Sequence, residues 1–450
     1  MKKFFFIGFL FLIISSLLGM SQKKVSLTVY NQNFALIKDI RELQLIKGFN
    51  EVRFSDVAAL IEPESVLFRS LSPRFPVHLI EQNYEFDLLN SEKLLRKYLE
   101  EKINITGKDD NIFEGILKSF QGDTLILQLK RGNLIMVKMD TIKMIQFPSL
   151  PRGLITRPTL VWWIKSGKKG RLDVEVSYIT KGINWKADYV VRIEEREKLL
   201  DLKGWVTLDN RSGATFQNAN LKLVAGEVHR VEEKRILRRE MVYEAAKAGA
   251  PQFEEKPFFE YHMYTLKRKT TLKNNQIKQV SLLEASRIPF RKIYSYDGIK
   301  NPTKIAVHVE FTNSQNNNLG MPLPKGKVRV YKTSGESMEF IGEDKIDHTP
   351  KDEKVKLFLG YAFDLVGERK RVKQEKLANR LWEATYQILL RNHKEKEEAE
   401  IEVVEHLWGD WEIVSSSHEW EKVDAQTIKF KVKVKPDEEK KIQYTVRYRW

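Results

Sequence analysis

The chain has 450 residues, 42% of them hydrophobic and 31% charged, with 23 glycines and 14 prolines, which is globular composition and excludes a disordered or fibrous protein. It has no cysteine, which excludes disulfides, thiolate metal sites, a cysteine nucleophile and a lipid-modified amino terminus, so stability comes from packing. The formal net charge is +16, and the length leaves room for about two to three domains.

Met1, Lys2 and Lys3 precede an apolar run over residues 4–20, followed by Ser21, Gln22, Lys23 and Lys24. A basic start, an apolar centre and the small residues Gly19 and Ser21 predict a secretory signal over residues 1–21, cut after Ser21. The run of 17 residues sits at the short limit of a spanning helix, about 17 to 25 residues, so an uncleaved anchor is the alternative. No other stretch is apolar enough to span a bilayer, and the mature chain is expected to be soluble, without a transmembrane segment, and secreted or periplasmic. Residues 1–21 hold two lysines and no acid, which leaves 16 − 2 = +14 on the mature chain. In an exported protein such an excess points away from nucleic acid and toward anionic lipid, phosphate-bearing polymer or acidic polysaccharide. Most basic residues are scattered among the 61 acidic ones, as on a solvated surface. Short clusters stand at Lys165, Lys168, Lys169 and Arg171, at Arg238 and Arg239, and at residues 267–269 and 369–371.

The mature start alternates as strands over residues 25–30, 34–40, 42–45 and 51–54, punctuated by Gly48 and asparagines, which predicts an N-terminal β region over 22–90. From Ser91 the period changes. Leu94, Leu95, Tyr98 and Leu99 share a helical face behind a Ser91 cap, so one short helix is expected to about Lys102. Five compact strands follow at 103–106, 112–120, 124–129, 134–139 and 142–147, joined by tight turns such as Gln121-Gly122-Asp123. A helix and five bent strands over 91–150 resemble a small Sm-like or SH3-like barrel, for which packing or oligomerisation is the plain purpose. Pro148, Pro151 and Pro158 mark a linker before a C-terminal domain over 155–450. There, strands are expected at 159–164, 171–179, 189–193, 200–209, 304–313, 326–332, 354–363, 382–391, 399–406, 427–434 and 442–450. The exception is residues 232–248, where Leu237, Met241, Ala245 and Ala248 line one helical face. The fold class is therefore mainly β, a β-sandwich or two in series with an inserted small barrel and few short helices.

Several stretches resemble the mucoidy-inhibitor-type family of bacterial secreted proteins, which carry a C-terminal domain of unknown function. They are Ser177-Tyr-Ile-Thr-Lys-Gly-Ile-Asn-Trp-Lys-Ala-Asp-Tyr189, Gly204-Trp-Val-Thr-Leu-Asp-Asn-Arg-Ser-Gly213 and Leu223-Val-Ala-Gly226. Further on come Tyr264-Thr-Leu266, Gly342-Glu-Asp-Lys-Ile-Asp-His-Thr-Pro350, Phe363-Asp364 and His406-Leu-Trp-Gly-Asp-Trp411. The resemblance covers residues 22–450 and implies a β-rich exported protein without an assigned biochemical role. The long coiled-coil helix of many such proteins is missing from this chain.

No phosphate loop, dinucleotide glycine fingerprint, zinc-protease helix pair or nucleophile elbow occurs, and no cofactor is implied. The turn Asp347-His348-Thr349-Pro350, with Asp352 and Glu353 behind it, places an imidazole among carboxylates. It can ligate a divalent cation or supply a general base; a rigid turn capped by Asp347 and His348 is the structural alternative. Asp410, with His406 and Glu412, flanks Trp408 and Trp411, a set able to present rings to a sugar, although aromatics at alternate positions commonly belong to a core. Trp162 and Trp163 are adjacent and must face opposite sides of a strand, so one of them is the contact candidate. Lys168, Lys169 and Arg171 are the basic candidates beside them. Asn210-Arg211-Ser212 is a formal sequon inside a tight turn. These features suit a non-enzymatic envelope protein that binds a protein partner or an anionic surface polymer. The alternatives are an envelope-polymer hydrolase using Asp347, His348 or Asp410, and a self-assembling structural protein that pairs sheet edges.

Overall fold

The structure is a computed structural model and describes residues 22–87, 90–149, 155–226, 228–229 and 253–449. The expected signal and the expected helix at 232–248 lie outside the described residues. The fold is mainly β: among the described residues 68% are in strands and 4% helical, with one α-helix. In chain order the first strands are β1 (Gln22–Tyr30), β2 (Phe34–Leu45), β3 (Gly48–Ser55), β4 (Leu67–Ser70) and β5 (Val77–Glu85). Helix α1 (Ser91–Lys97) opens the next unit, with β6 (Lys102–Gly107), β7 (Ile112–Gln121), β8 (Thr124–Leu129), β9 (Leu134–Lys138) and β10 (Ile142–Gln146). Then come β11 (Thr159–Ser166), β12 (Gly170–Lys181), β13 (Ile183–Ile193), β14 (Leu199–Asn210) and β15 (Phe216–Ala225). Short strands β16 (Phe253–Phe258), β17 (Tyr261–Leu266) and β18 (Thr270–Leu272) precede β19 (Gln276–Pro289), β20 (Arg291–Tyr296) and β21 (Lys304–Thr312). The rest are β22 (Gly326–Ser334), β23 (Ser337–Ile346), β24 (Lys354–Ala378), β25 (Leu381–Asn392) and β26 (Ala399–His406). The chain closes with β27 (Asp410–Ser416), β28 (Trp420–Lys422), β29 (Thr427–Val434) and β30 (Glu438–Arg449).

Residues expected as two strands at 34–40 and 42–45 form the single strand β2, because β12 pairs it without interruption from Lys181↔Phe34 to Gly170↔Leu45. An eight-stranded sheet runs in the order β16-β17-β15-β1-β2-β12-β4, with β18 attached to β15. Strands β3-β11-β5 form a second sheet, although β11 lies beyond the proline-rich stretch and its partners before it. The five strands β19-β14-β13-β22-β23 form a third, in which β14 alternates buried and half-buried residues along its whole length, the pattern of a sheet with one face on a core. The faces of these three sheets and the inner half of β21 and β24 bury one continuous core around Ile37, Phe54, Trp162, Tyr178, Val191 and Leu357.

Turn chemistry fixes how these layers join. Asn210 is fully buried, with its amide on the carbonyls of Ala214 at 2.9 Å and Lys273 at 3.0 Å and its oxygen accepting from the Ser212 hydroxyl at 2.7 Å. The sequon is thus spent inside the fold. Gly213 follows at φ +85, and a Cβ there would stand 2.4 Å from that of Ala59, so both conformation and space demand glycine.

The helix-plus-five-strand unit exists, with three differences from expectation. The cap is Asn90, whose side chain accepts the Lys93 backbone N–H at 2.8 Å, and Ser91 is the first helical residue. Helix α1 stops at Lys97, because Tyr98 turns inward to hydrogen-bond Ser149 and Glu100 takes φ +66. The five strands run β10-β6-β7-β8-β9 as an open sheet around Leu95, Ile105, Leu117, Leu125 and Leu127. Its outer strands are not hydrogen-bonded to each other, so no barrel closes.

The nine-stranded order β27-β30-β25-β24-β21-β20-β26-β29-β28 describes a sheet that folds over itself. Phe430 on β29 and Tyr444 on β30 are far apart in that order, yet their rings lie 5.6 Å apart. The enclosed second core holds Tyr296, Leu365, Ile388, Val403, Phe430 and Tyr444. The two layers give the expected sandwich. Among the described residues no helix is long and apolar enough to cross a membrane.

Candidate functional site

Where β13 and β22 of the five-stranded sheet meet β20, β21 and β24 of the nine-stranded one, the layers leave a cleft of about 350 Å³. Its floor is apolar, from Ile193, Val307, Val309, Ile341 and Leu359. Its charged groups come from five separate elements: Lys292 on β20, Lys332 on β22, Asp364 on β24, Lys394 after β25 and Glu197 in the turn between β13 and β14. Glu197 occupies that turn at φ +53, and its carboxylate holds both Lys292 and Lys332. Burial pushes the Glu197 carboxyl up, but the two ammonium groups outweigh it and hold it below the usual carboxylate range. Lys292 is shifted the opposite way for the same reason, burial opposing and Glu197 prevailing.

Lys394 completes the cationic wall. Its ammonium lies 2.7 Å from the Tyr294 hydroxyl and 2.8 Å from Glu397, and 5.0 Å over the Tyr294 ring. Burial lowers its proton affinity, while Glu397 and Tyr294 raise it further, so it stays charged. The rim is aromatic: Tyr361 is 44% exposed and Phe363 96% exposed. Three lysines against Glu197 and Asp364 leave the lining at 3 − 2 = +1. The lining holds no histidine and no serine. The arrangement can hold an apolar or ring-shaped body over the floor, with an anionic group displacing Glu197 from one lysine.

A model of a family described as a domain of unknown function, DUF4139, matches residues 174–450. The chain belongs to the DUF4139 family. No curated protein matches it. Every residue of the cleft falls inside the DUF4139 match, whereas the open five-stranded unit at 91–147 precedes it.

The residues singled out by sequence lie elsewhere in the fold. Within the DUF4139 domain, His348 is exposed and its Nδ1 accepts the Lys325 backbone N–H at 3.2 Å. Thr349 bridges Leu323 in both directions, at 2.8 and 2.9 Å. The fully buried Asn313 side chain donates to the carbonyls of Met321 and Pro350, each at 2.9 Å. Asp347 and His348 therefore sit in a turn that two neighbouring loops hold in place. Asp410 lies at the far edge of the other sheet, opposite Arg449 in register. None of the three lines the cleft, and among the described residues no group of three or more His, Cys, Asp or Glu is placed to hold a metal ion.

Trp411 is half-buried and donates to the Ala425 carbonyl at 2.8 Å, with Trp420 edge-on at 6.1 Å and Lys422 over its ring at 4.8 Å. Trp408 beside it is 57% exposed. Ahead of the DUF4139 match, Trp162 is fully buried between Phe54 and Phe68 and donates to Gln82 at 2.9 Å. It packs the core and offers no surface, so the contact candidate of that pair is Trp163, 42% exposed. Lys168 lies 5.0 Å over the Phe75 ring, Arg171 lies 3.5 Å from Glu42, and Lys169 is exposed. Sequence reasoning missed Glu197, Lys292, Lys332 and Lys394, which no spacing connects; only the strand pairing brings them together.

Proposed function

We propose that this protein is exported to the cell envelope and acts there as a non-catalytic binding protein, engaging a surface polymer or a protein partner through its lysine-walled cleft. The observation that carries this reading is the convergence of Lys292, Lys332 and Lys394 over an apolar floor behind the exposed rings of Tyr361 and Phe363. Charged groups gathered in a concave site, with the Glu197 carboxylate already held by two lysines, suit holding a ligand. Export rests on the signal-like first 21 residues, and the finer relationship to mucoidy-inhibitor-type proteins rests on the segments quoted from residues 177–189, 204–213 and 342–350.

The test uses the chain from Gln22 onward and isolated cell-envelope polymer across a salt series, comparing the parent with Lys332→Gln, Lys394→Gln and Phe363→Ala. A charge-assisted contact is worth about 1.5–3 kcal/mol, so each lysine change should weaken binding about tenfold or more, and salt should weaken the parent more than the variants. Equal binding by parent and variants would remove the cleft from the account. No binding by the parent to polymer at any salt leaves a protein partner, sought by pull-down from the envelope fraction with the same variants as controls.

A further inference from the structure

Strand β24 is far longer than its neighbours need. It spans 25 residues, but β21 pairs with only its first half, from Thr312↔Lys354 to Lys304↔Val366. The last bond on that side runs from Gly367 N to Thr303 O at 3.2 Å. Beyond it β24 pairs with β25 alone, down to Ala378↔Leu381. Residues 368–378 thus present one edge on which, among the described residues, no strand lies. In an antiparallel ladder about half the backbone N–H and C=O groups of such a stretch point to the open side.

The side chains along this edge have one dominant sign. Residues 368–378 contain five basic and two acidic side chains, 5 − 2 = +3. Arg369 is engaged with Glu405 inside the sandwich, and Lys370, Arg371, Lys373 and Lys376 are exposed. Two apolar side chains stand among them, Val372 at 50% and Leu377 at 44% exposure. Lysines on an edge also guard it against pairing with its own kind. A second copy brings another +3, so self-pairing is opposed, while an acidic strand is favoured by the same charges.

We propose that residues 368–378 of β24 are a docking edge for an extended acidic segment of a partner protein, which adds beside β24 as a further strand. Main-chain hydrogen bonds supply the geometry and the lysines select the sign. This goes beyond the cleft reading and stands or falls separately, since none of these residues lines the cleft.

The test uses the full chain from Gln22 and a twelve-residue peptide of alternating glutamate and valine as probe. The comparison peptide has the same length and the same glutamates, with alternate valines replaced by proline. The expected result is binding of the first peptide only, with hydrogen exchange of the amides in residues 368–378 slowed at least tenfold. Lys373→Glu with Lys376→Glu should weaken that binding at least tenfold while leaving exchange elsewhere unchanged. Equal binding of the proline peptide, binding without slowed exchange at 368–378, or no binding would each overturn the proposal. So would dimerisation of the chain alone through this edge.

Discussion

Replacing Glu405 by alanine should unfasten the C-terminal sandwich. Glu405 is fully buried on β26, and both its carboxylate oxygens accept from Arg369 Nε at 2.9 Å. The Tyr444 hydroxyl donates to the same carboxylate from β30. Arg369 reaches in from β24, 17% exposed, with its guanidinium 4.1 Å over the Tyr386 ring. Burial disfavours its charge, and Glu405 more than offsets this, raising its proton affinity. Three strands from both layers therefore share one carboxylate. Removing one partner of a buried ion pair costs about 3–5 kcal/mol because the other charge is left uncompensated. The stranded Tyr444 hydroxyl adds about 1–3 kcal/mol, though not additively. Replacing both charged residues with apolar ones of similar size should cost much less than the single change, since such swaps are often near neutral. Native-state hydrogen exchange reads this locally: Glu405→Ala should lower the opening free energy of β26, β29 and β30 by at least about 3 kcal/mol, and Glu405→Leu with Arg369→Met by less than half of that. Amides of β7 and β8 should not change. A loss below about 1 kcal/mol for Glu405→Ala, or a double variant as damaged as the single, would refute the argument that the cost is a stranded charge.

The two adjacent tryptophans should part company in denaturant unfolding: Trp162→Ala should cost about 3–5 kcal/mol, and Trp163→Ala within about 0.5 kcal/mol of zero. Similar losses would mean that the strand faces are assigned wrongly. Asn313→Ala leaves the carbonyls of Met321 and Pro350 without their donor, so exchange in the loops at 313–323 and 347–353 should quicken with a loss of about 1–3 kcal/mol; unchanged protection there would count against the hub. Glu197 has a depressed carboxyl in the folded state, so the stability it supplies is fully present above its unfolded value near 4.5 and is lost as pH falls through the folded one. Thermal unfolding of the parent and Glu197→Gln should therefore differ most near neutral pH and converge as the solution is taken below about pH 4; a gap that widens on acidification would contradict the clamp.

The fold was legible where local chemistry suffices. The strand patterns of β14 and β29 and the tight turn at Gln121-Gly122-Asp123 are each decided within a dozen residues, so their elements appear close to the expected places. Strands β19, β20, β23 and β27 stand where the sequence reading expects none; the other failures are chiefly of partnership. Nothing between Ile40 and Glu42 announces that a single strand continues there, because what holds it straight is β12, more than a hundred residues later. The five-strand unit carries barrel-like strand lengths, but closure depends on whether β9 and β10 meet, which turn residues do not encode. Trp162 and Trp163 show the boundary well. Their opposite facing follows from the pleat, whereas which of them enters the core depends on Phe68 arriving from another sheet.

The candidate site lies on the far side of that boundary. Sequence reading favours residues that cluster along the chain, and so it stopped at Asp347-His348-Thr349-Pro350 and at the tryptophans around Asp410. Those clusters are dense because turns need polar, conformationally tolerant residues, and the Asn313 hub and the Leu323–Thr349 bridge account for the first of them. A site built between two sheets takes one residue from each of several strands, and each looks ordinary in its own stretch. Glu197 is one acid in a charged turn, and Lys292, Lys332 and Lys394 are three of the 77 basic residues. Only when β13 pairs with β22 in parallel and β20 with β21 do they face a common space. The same logic applies to the open edge of β24. Its cationic run at 369–371 stands out in the sequence only as a short cluster, and its meaning depends on β21 pairing with β24 no further than Val366, a fact of register and not of composition.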